Sequence, residues 1–145
     1  GLCDGGGPRI LLADRDLPAF PDLVRADALL VTYNGATFDV PVLRRAFPAW
    51  APPAAHYDVR LVWSRLGHRG GLKALEEAEG IGRPDHLRGL DGSAACNMWR
   101  HARLGDRRAL RLFAEYNLYD TINLRTLGAL GYNRMVKALH LPAPP

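Results

Sequence analysis

Two short segments, far apart in the chain, each combine an aromatic residue with an aspartate. The first reads Asn-Gly-Ala-Thr-Phe-Asp from Asn34 to Asp39, and the second reads Tyr-Asn-Leu-Tyr-Asp from Tyr116 to Asp120. Carboxylates brought together from such segments can hold a divalent metal ion against a phosphodiester, and metal-assisted hydrolysis needs ligands of this kind. These residue types therefore predict metal-dependent phosphodiester hydrolysis as the chemistry of the chain.

The first segment follows a continuous apolar stretch, residues 28–33, that predicts a strand buried on both faces. The turn after such a strand lies at the carboxyl edge of a sheet, where ligands bind in α/β folds. There Gly35 lets the backbone approach a substrate, Asn34 offers an amide, and Asp39 can direct a carboxylate at a metal. A purely structural turn explains the segment equally well, because Asn-Gly is a common tight turn and an acidic residue favours a helix start.

The second segment places Tyr116 and Asp120 four residues apart, so a helix stacks both side chains on one face. On such a face a carboxylate can bind a metal while a phenol hydrogen-bonds the attacking water. By itself this spacing is also ordinary for a helix surface. Tyr116 and Asp120 indicate a hydrolytic site only in combination with the first segment.

The remaining elements follow from apolar periodicity and from glycine and proline breaks. We predict a hairpin of residues 1–4 and 9–13, a strand over 56–59, a proline-rich loop over 47–55, and helices over 18–26, 39–46, 60–66, 72–79, 92–103 and 106–130. Trp63 and Trp99 lie among the apolar helical positions, which predicts core packing for both. Strands followed by helices indicate a mixed α/β sheet flanked by helices.

Length and composition predict one domain. The chain has 145 residues, of which 48% are hydrophobic and 23% charged, as in a globular protein, and no apolar run is long enough to span a bilayer. Two isolated cysteines and five scattered histidines form no zinc pattern. We therefore expect a cytoplasmic protein with no membrane partner.

The net charge is +4, and nearly all the positive charge is arginine. A planar guanidinium suits bidentate contacts with phosphate, so this balance is compatible with a polyanionic partner. An arginine-rich composition also arises from genomic base bias. The unranked candidates for phosphate contacts are Arg44, Arg45, Arg60 and Arg125.

Taken together, the two segments resemble a known family. Residues 30–43 (LVTYNGATFDVPVL) are similar to the second exonuclease motif of the ribonuclease H-like DEDD superfamily, and residues 116–120 resemble its third motif in the tyrosine variant, Y-x-x-x-D. The stretches at 56–58, 71–76 and 89–92, with Trp99 beyond them, resemble the YprB-type ribonuclease H-like domain. This resemblance covers nearly the whole chain.

The resemblance implies a ribonuclease H-like fold and a 3′ to 5′ exonuclease-like activity. In such a site four carboxylates hold two Mg²⁺ or Mn²⁺ ions, and the substrate is the 3′ end of single-stranded DNA or RNA. Asp39 and Asp120 match metal ligands, and Tyr116 matches the residue that orients the nucleophilic water. Asn34 and Phe38, with Gly35 beside them, match the substrate groove. Asp58 matches no ligand and is expected to be structural.

One departure from the family is the missing first motif, D-x-E. Asp14-Arg15-Asp16 imitates it but lies only 20 residues before Asn34, where a turn or helix start is expected. We therefore expect a domain over residues 1–140 that lacks its first strand and is N-terminally incomplete, followed by a proline-rich tail at 141–145. With two of four carboxylates missing, metal should bind weakly and the chain should be nearly inactive.

Two other interpretations remain open from the sequence. In one, the chain is a catalytically dead ribonuclease H-like module that binds nucleic acid or protein. A D-x-E strand encoded before Gly1 in the native gene would argue against this interpretation. In the other, the chain is a metal-dependent hydrolase of small phosphoesters, which differs only in its substrate. The sequence does not choose between DNA and RNA, and it leaves flanking domains of a longer parent open.

Overall fold

The computed structural model describes residues 1–13 and 15–140. The predicted tail at 141–145 and Asp14 of the D-x-E imitation lie outside the described residues. The strands and helices are β1 (Leu2–Asp4), β2 (Gly7–Arg9), α1 (Phe20–Leu23), β3 (Leu29–Thr32), α2 (Asp39–Ala46), β4 (Ala55–Asp58), α3 (Val59–Arg65), α4 (Leu72–Ala78), α5 (Gly92–Arg103) and α6 (Arg107–Ala138), with 3-10 helices at Leu17–Ala19 and Asp85–Leu87.

This element order confirms the predicted mixed α/β class and is consistent with a ribonuclease H-like fold. The four strands of the described residues form two separate two-stranded sheets, one antiparallel and one parallel, rather than a single sheet. The described residues also group into two compact units. Among them, no helix combines the length and the apolar character needed to cross a membrane.

The first unit combines Gly1–Ile10 with Lys73–Asn123. It contains the β1–β2 hairpin, in which Leu2 pairs with Arg9, together with most of α4, all of α5 and the first half of α6. Helix α5 begins where predicted, because the Asp91 carboxylate accepts hydrogen bonds from the N–H groups of the first turn. The unit's apolar cluster is built on three buried residues, namely Leu87, Met98 and Tyr116.

The second unit combines Leu11–Leu72 with the chain from Leu124 onward. Strands β3 and β4 lie parallel with Thr32 opposite Asp58, and α2 lies between them in the sequence. The predicted helix over 18–26 is instead a 3-10 turn followed by the short α1. Asp16 stands at the N-cap position of that turn, the helix start expected from the sequence, but its side chain makes no capping hydrogen bond and pairs with Arg15 instead.

The core of the second unit includes Trp63, which is 3% exposed, and the fully buried Val59 and Leu127. Its indole N–H donates to the carbonyl of Leu127 at 3.0 Å, and Gly131 lies against the same ring. These contacts explain why α6 continues to Ala138 instead of ending near residue 130 as predicted, since packing offsets the low helix propensity of glycine.

The predicted burial of β3 on both faces is wrong. Leu29 is 62% exposed and Val31 is 36% exposed, so the strand alternates between exposed and half-buried residues. Among the described residues only β4 pairs with β3, so β3 is covered on one face and exposed on the other.

Candidate functional site

The turn after β3 is organised by Asp58, which is 7% exposed at the end of β4. Its Oδ1 atom accepts from the backbone N–H of Asn34 at 2.8 Å, and its Oδ2 atom accepts from the N–H of Ala36 at 3.1 Å. Oδ1 also caps α3 by accepting from the N–H of Arg60 at 3.2 Å. Because these bonds occupy both oxygens, Asp58 holds the turn in place, and its predicted structural role is confirmed.

Asn34 adopts a left-handed backbone with φ of 63°, a conformation that asparagine tolerates better than most residues. Its amide oxygen accepts from the Thr37 hydroxyl at 2.9 Å and from the Arg60 guanidinium at 2.7 Å. Within the described residues the amide nitrogen makes no hydrogen bond. Asn34 can therefore offer a substrate two N–H donors but no free acceptor.

Gly35 is required by a close approach inside this turn. It is buried, and its N–H donates to the Thr32 hydroxyl at 3.1 Å. A Cβ atom at this position would lie less than 3 Å from the Cβ, Oγ1 and Cγ2 atoms of Thr32. The same hydroxyl contacts Nε2 of His56 at 2.8 Å, so Thr32 cannot rotate away without losing two hydrogen bonds.

Phe38 and Asp39 stand at the start of α2. The Phe38 ring is 65% exposed, which leaves a free aromatic face beside the turn. Asp39 is exposed as a whole, yet neighbouring atoms partly shield its carboxyl group, and this desolvation raises its pKa with a smaller contribution from the charge of Asp58. A carboxylate in such surroundings is stabilised by a cation, because the cation offsets both effects.

Tyr116 and Asp120 lie one helical turn apart on α6, within the first unit. The Oδ1 atom of Asp120 contacts two cations, the ammonium of Lys73 and, at 2.6 Å, the guanidinium of Arg83. The Lys73 ammonium lies 4.3 Å from the centre of the Tyr116 ring, and the Arg83 guanidinium lies 5.5 Å from it. The predicted tyrosine and aspartate therefore share two basic neighbours that the sequence did not reveal.

Arg83 also joins Asp120 to a buried carboxylate. Its guanidinium makes two hydrogen bonds to Glu76, at 2.7 and 2.6 Å, and Asn123 donates to the same carboxylate at 3.0 Å. The side chains of Arg83 and Glu76 are only 7% and 4% exposed. The four charged groups, Lys73, Arg83, Glu76 and Asp120, sum to zero, and the Nη1 atom of Arg83 remains buried without a hydrogen bond among the described residues.

The Tyr116 phenol is held in its neutral form. Burial, aided by the negative charge of Asp120, raises the pKa of Tyr116 to about 12. At neutral pH the phenol can therefore donate a hydrogen bond to a water molecule but cannot act as a base. This state fits the predicted role of orienting a nucleophile.

Tyr116 should make the protein lose stability in strong alkali. A phenol with a folded-state pKa of about 12, against about 10 when unfolded, stabilises the fold fully below about pH 10, and this contribution disappears as the pH rises towards 12. Two pKa units correspond to about 2 to 3 kcal/mol. Urea unfolding from about pH 9 upward should show a steeper alkaline loss in the native chain than in Tyr116→Phe. Parallel profiles would contradict the assignment.

Metal binding can be judged from the donor groups. Asp39 and Asp120 offer hard oxygen ligands, which Mg²⁺ and Mn²⁺ prefer, and Oδ2 of Asp120 makes no hydrogen bond within the described residues. These carboxylate oxygens suit such an ion chemically, but two carboxylates are few ligands for it. Across residues 1–13 and 15–140, no three histidine, cysteine or acidic side chains cluster as a metal site. Asp39 belongs to the second unit and Asp120 to the first, so their convergence stays a prediction.

The residues that were missed carry only a partial signal in the sequence. Lys73 and Glu76 lie in the stretch 71–76, which was noted for its resemblance without assigning a role to either side chain. Arg83 lies between the predicted helices over 72–79 and 92–103. Of the arginines named as candidates for phosphate contacts, Arg60 bonds Asn34, while Arg44, Arg45 and Arg125 are exposed.

A comparison with curated proteins and another with solved structures each returned no match. The model of the RNase_H_2 family, described as RNase_H superfamily, matches residues 13–131. That range contains both aspartate segments and the basic residues around Asp120. The match covers most of the chain and confirms the superfamily that the two segments indicated. The chain belongs to the RNase H superfamily.

Proposed function

We propose that this chain is a metal-dependent 3′ to 5′ exonuclease-like domain of the DEDD tyrosine variant, of the YprB type, that hydrolyses nucleic-acid phosphodiesters. The observation that carries the proposal is the pairing of Tyr116 and Asp120 on one face of α6, inside a family match that also includes Asn34 to Asp39. Its substrate is the 3′ end of a single DNA or RNA strand. Its place of action is the cytoplasm.

In this proposal Asp39 and Asp120 hold Mg²⁺ or Mn²⁺. When bound, such ions lower the pKa of a water molecule and stabilise the leaving oxygen. Tyr116, neutral at physiological pH, orients the water through its O–H group. Asn34 donates its amide N–H groups to the substrate, and the exposed Phe38 ring stacks on a base beside Gly35.

Residues 1–145 contain no D-x-E motif. In this proposal they therefore supply two of the four carboxylates of a two-metal site. Hard cations prefer several oxygen ligands, and magnesium retains its waters when a protein offers few. The 145 residues by themselves should therefore bind metal weakly and hydrolyse slowly. A D-x-E strand placed before Gly1 should supply the missing carboxylates.

A nuclease assay tests the proposal. The chain, with and without an added D-x-E strand, is incubated with a 5′-labelled single strand in manganese or in chelator. We expect the extended chain to shorten the strand stepwise from its 3′ end in manganese only, and Asp120→Asn to abolish the products. A 3′-blocked strand should resist. Products in chelator, or none from either chain, would contradict the proposal, and faster turnover of a chromogenic phosphodiester would favour small phosphoesters.

One observation favours a second candidate, a catalytically dead ribonuclease H-like module that binds nucleic acid or protein. Asp120 is already neutralised by Lys73 and Arg83, and two cations beside a carboxylate can replace a metal as its charge partner. Such a module would bind nucleic acid with the same affinity in manganese and in chelator. The native gene distinguishes the two candidates, because an upstream D-x-E strand argues for the nuclease.

A further inference from the structure

The corner between α5 and α6 concentrates exposed arginines in the first unit. Five of them, here called the corner cluster, lie within twelve consecutive residues, and all five are exposed: Arg100, Arg103, Arg107, Arg108 and Arg111. Asp106 is the only acidic residue in that stretch. The corner therefore carries a dense positive charge that is separate from the Lys73 and Arg83 pair.

Two acidic side chains lie near the corner cluster, and each has hydrogen-bond partners of its own. Asp106 caps α6 by accepting from the N–H groups of Arg108 and Ala109, at 2.8 and 3.0 Å, and Glu115 contacts His86 at 3.0 Å. In the part of the chain that the structure describes, no ion pair joins a guanidinium of the corner cluster to a carboxylate. Five other arginines do pair with acidic side chains, namely Arg9, Arg15, Arg25, Arg83 and Arg88.

This arrangement has an energetic cost in the absence of an anion. Arg107 and Arg111 lie at positions i and i+4 of α6, where like charges repel across the helix surface. The Arg100 guanidinium donates to the amide oxygen of Asn97 at 3.0 Å, which satisfies one donor without supplying negative charge. Guanidiniums at this density are stabilised by a ligand that carries several negative charges. A chain of phosphates supplies such charges at regular intervals, and the guanidinium fork matches each phosphate.

A groove of about 610 Å³ opens beside the cluster. Met98, Ala109 and Leu112 form its apolar part, while His101, Arg108 and Arg111 supply basic groups. Asp106 and Glu115 also line the groove, and both carboxylates have the hydrogen-bond partners given above. An apolar surface next to phosphate-binding groups suits an unpaired nucleobase, which has both an apolar face and an attached phosphate. A paired base within a duplex cannot enter such a groove without leaving its stack.

We infer that the corner cluster and its groove form a second nucleic-acid site, which holds the backbone of a single strand away from Asp120. Arg111 and Asp120 are nine positions apart on α6, about 14 Å along the helix axis. A strand bound at both places must therefore span at least this distance. The inference rests on the nucleic-acid partner of the proposed function but not on hydrolysis.

The test measures binding in chelator, without catalysis. Fluorescence anisotropy of a labelled single-stranded oligonucleotide is recorded over a range of salt concentrations for the native chain and for R108Q/R111Q. Each lost phosphate contact should reduce the slope of log affinity against log salt by about 0.7. Two contacts amount to a slope change of about 1.4, which at about 0.1 M salt is a roughly 25-fold loss of affinity.

The matched control is R65Q/R69Q, which removes the same charge from two exposed arginines of the second unit. It should leave the slope unchanged, and circular dichroism should show both double variants folded, because glutamine has a helix propensity close to that of arginine. Equal losses in the two double variants would overturn the inference, since binding would then reflect general charge. Tighter binding of a duplex than of the single strand would also overturn it.

The measurement in chelator separates this inference from the proposed function. R108Q/R111Q should lose affinity in chelator, where no hydrolysis takes place. If R108Q/R111Q kept the affinity of the native chain, binding would belong to another part of the chain, and the inference would fail while the proposed function stood. Absence of any binding by the native chain would also overturn the inference, whereas the nuclease assay in manganese would still decide the proposed function.

Discussion

Replacing Arg83 with methionine should lower the free energy of unfolding by about 3 to 5 kcal/mol, the loss expected when one partner of a buried ion pair is removed. The Arg83 side chain is 7% exposed and makes two hydrogen bonds to Glu76, whose side chain is 4% exposed. Methionine fills similar space but leaves the Glu76 charge with only the Asn123 amide as a side-chain hydrogen-bond donor among the described residues. Urea unfolding followed by circular dichroism measures the loss.

Two further variants control this experiment. Arg88→Met removes a guanidinium from a pair with Asp85 in which both side chains are exposed, at 69% and 88%, and should cost less than about 1 kcal/mol. The double variant Arg83→Met/Glu76→Leu removes both buried charges and should recover much of the stability, because an apolar pair of similar volume needs no charge compensation. If Arg83→Met and Arg88→Met lowered the free energy of unfolding equally, burial would not determine how much the Arg83 ion pair contributes to stability.

Local sequence signals predicted several helices to within one or two residues. Helix α2 occupies Asp39–Ala46 as expected, since proline in a first turn loses no intrahelical hydrogen bond. Helix α5 occupies Gly92–Arg103 as expected, and the Asp91 cap explains its start. Core packing was also confirmed for Trp63, which is 3% exposed, whereas Trp99 is half-buried against Phe113. These successes depend on residues close together in the sequence.

Features that depend on distant contacts were not predictable in the same way. Helix α6 continues through Gly128 and Gly131, where Tyr57 and Trp63 approach the helix closely. Tyr57 donates to the carbonyl of Gly128 at 3.1 Å, across 71 positions of the chain. Read locally, glycines near residue 130 indicate the end of a helix. Tertiary packing overrides that signal here.

The candidate site also combines features that the local sequence predicts with contacts between distant residues that it does not predict. The sequence predicted Asp120 and Tyr116 as site residues, which stays a prediction, but it did not predict the partners of Asp120, which lie 37 and 47 positions away at Arg83 and Lys73. A single sequence does not specify which basic side chain will reach a given carboxylate, because many exposed arginines have the same local pattern. The turn at Asn34 was identified by its glycine, whereas the hydrogen bonds of Asp58 that hold it became visible only in the structure.

The charges around Asp120 bear directly on metal binding. Lys73 contacts Oδ1 of Asp120, and its ammonium would face a dication bound by the same carboxylate. Two unit charges about 4 Å apart interact by about 4 kcal/mol at an effective dielectric constant near 20, and a dication doubles this value. The lysine side chain is 33% exposed and can turn towards solvent, which relieves most of the repulsion but breaks the ion pair. Metal binding at Asp120 therefore competes with Lys73.

Replacing Lys73 with methionine should accordingly tighten Mn²⁺ binding at least tenfold, since a tenfold change needs only about 1.4 kcal/mol of the repulsion that Lys73 contributes. Titration calorimetry on the native chain and on Lys73→Met measures the difference. Lys137→Met is the matched control, because Lys137 is the only other lysine and lies exposed in the last turn of α6. Asp120→Asn in the Lys73→Met background should abolish the gain. Unchanged affinity in Lys73→Met would show that Asp120 is not a metal ligand, which would favour the catalytically dead module over the nuclease.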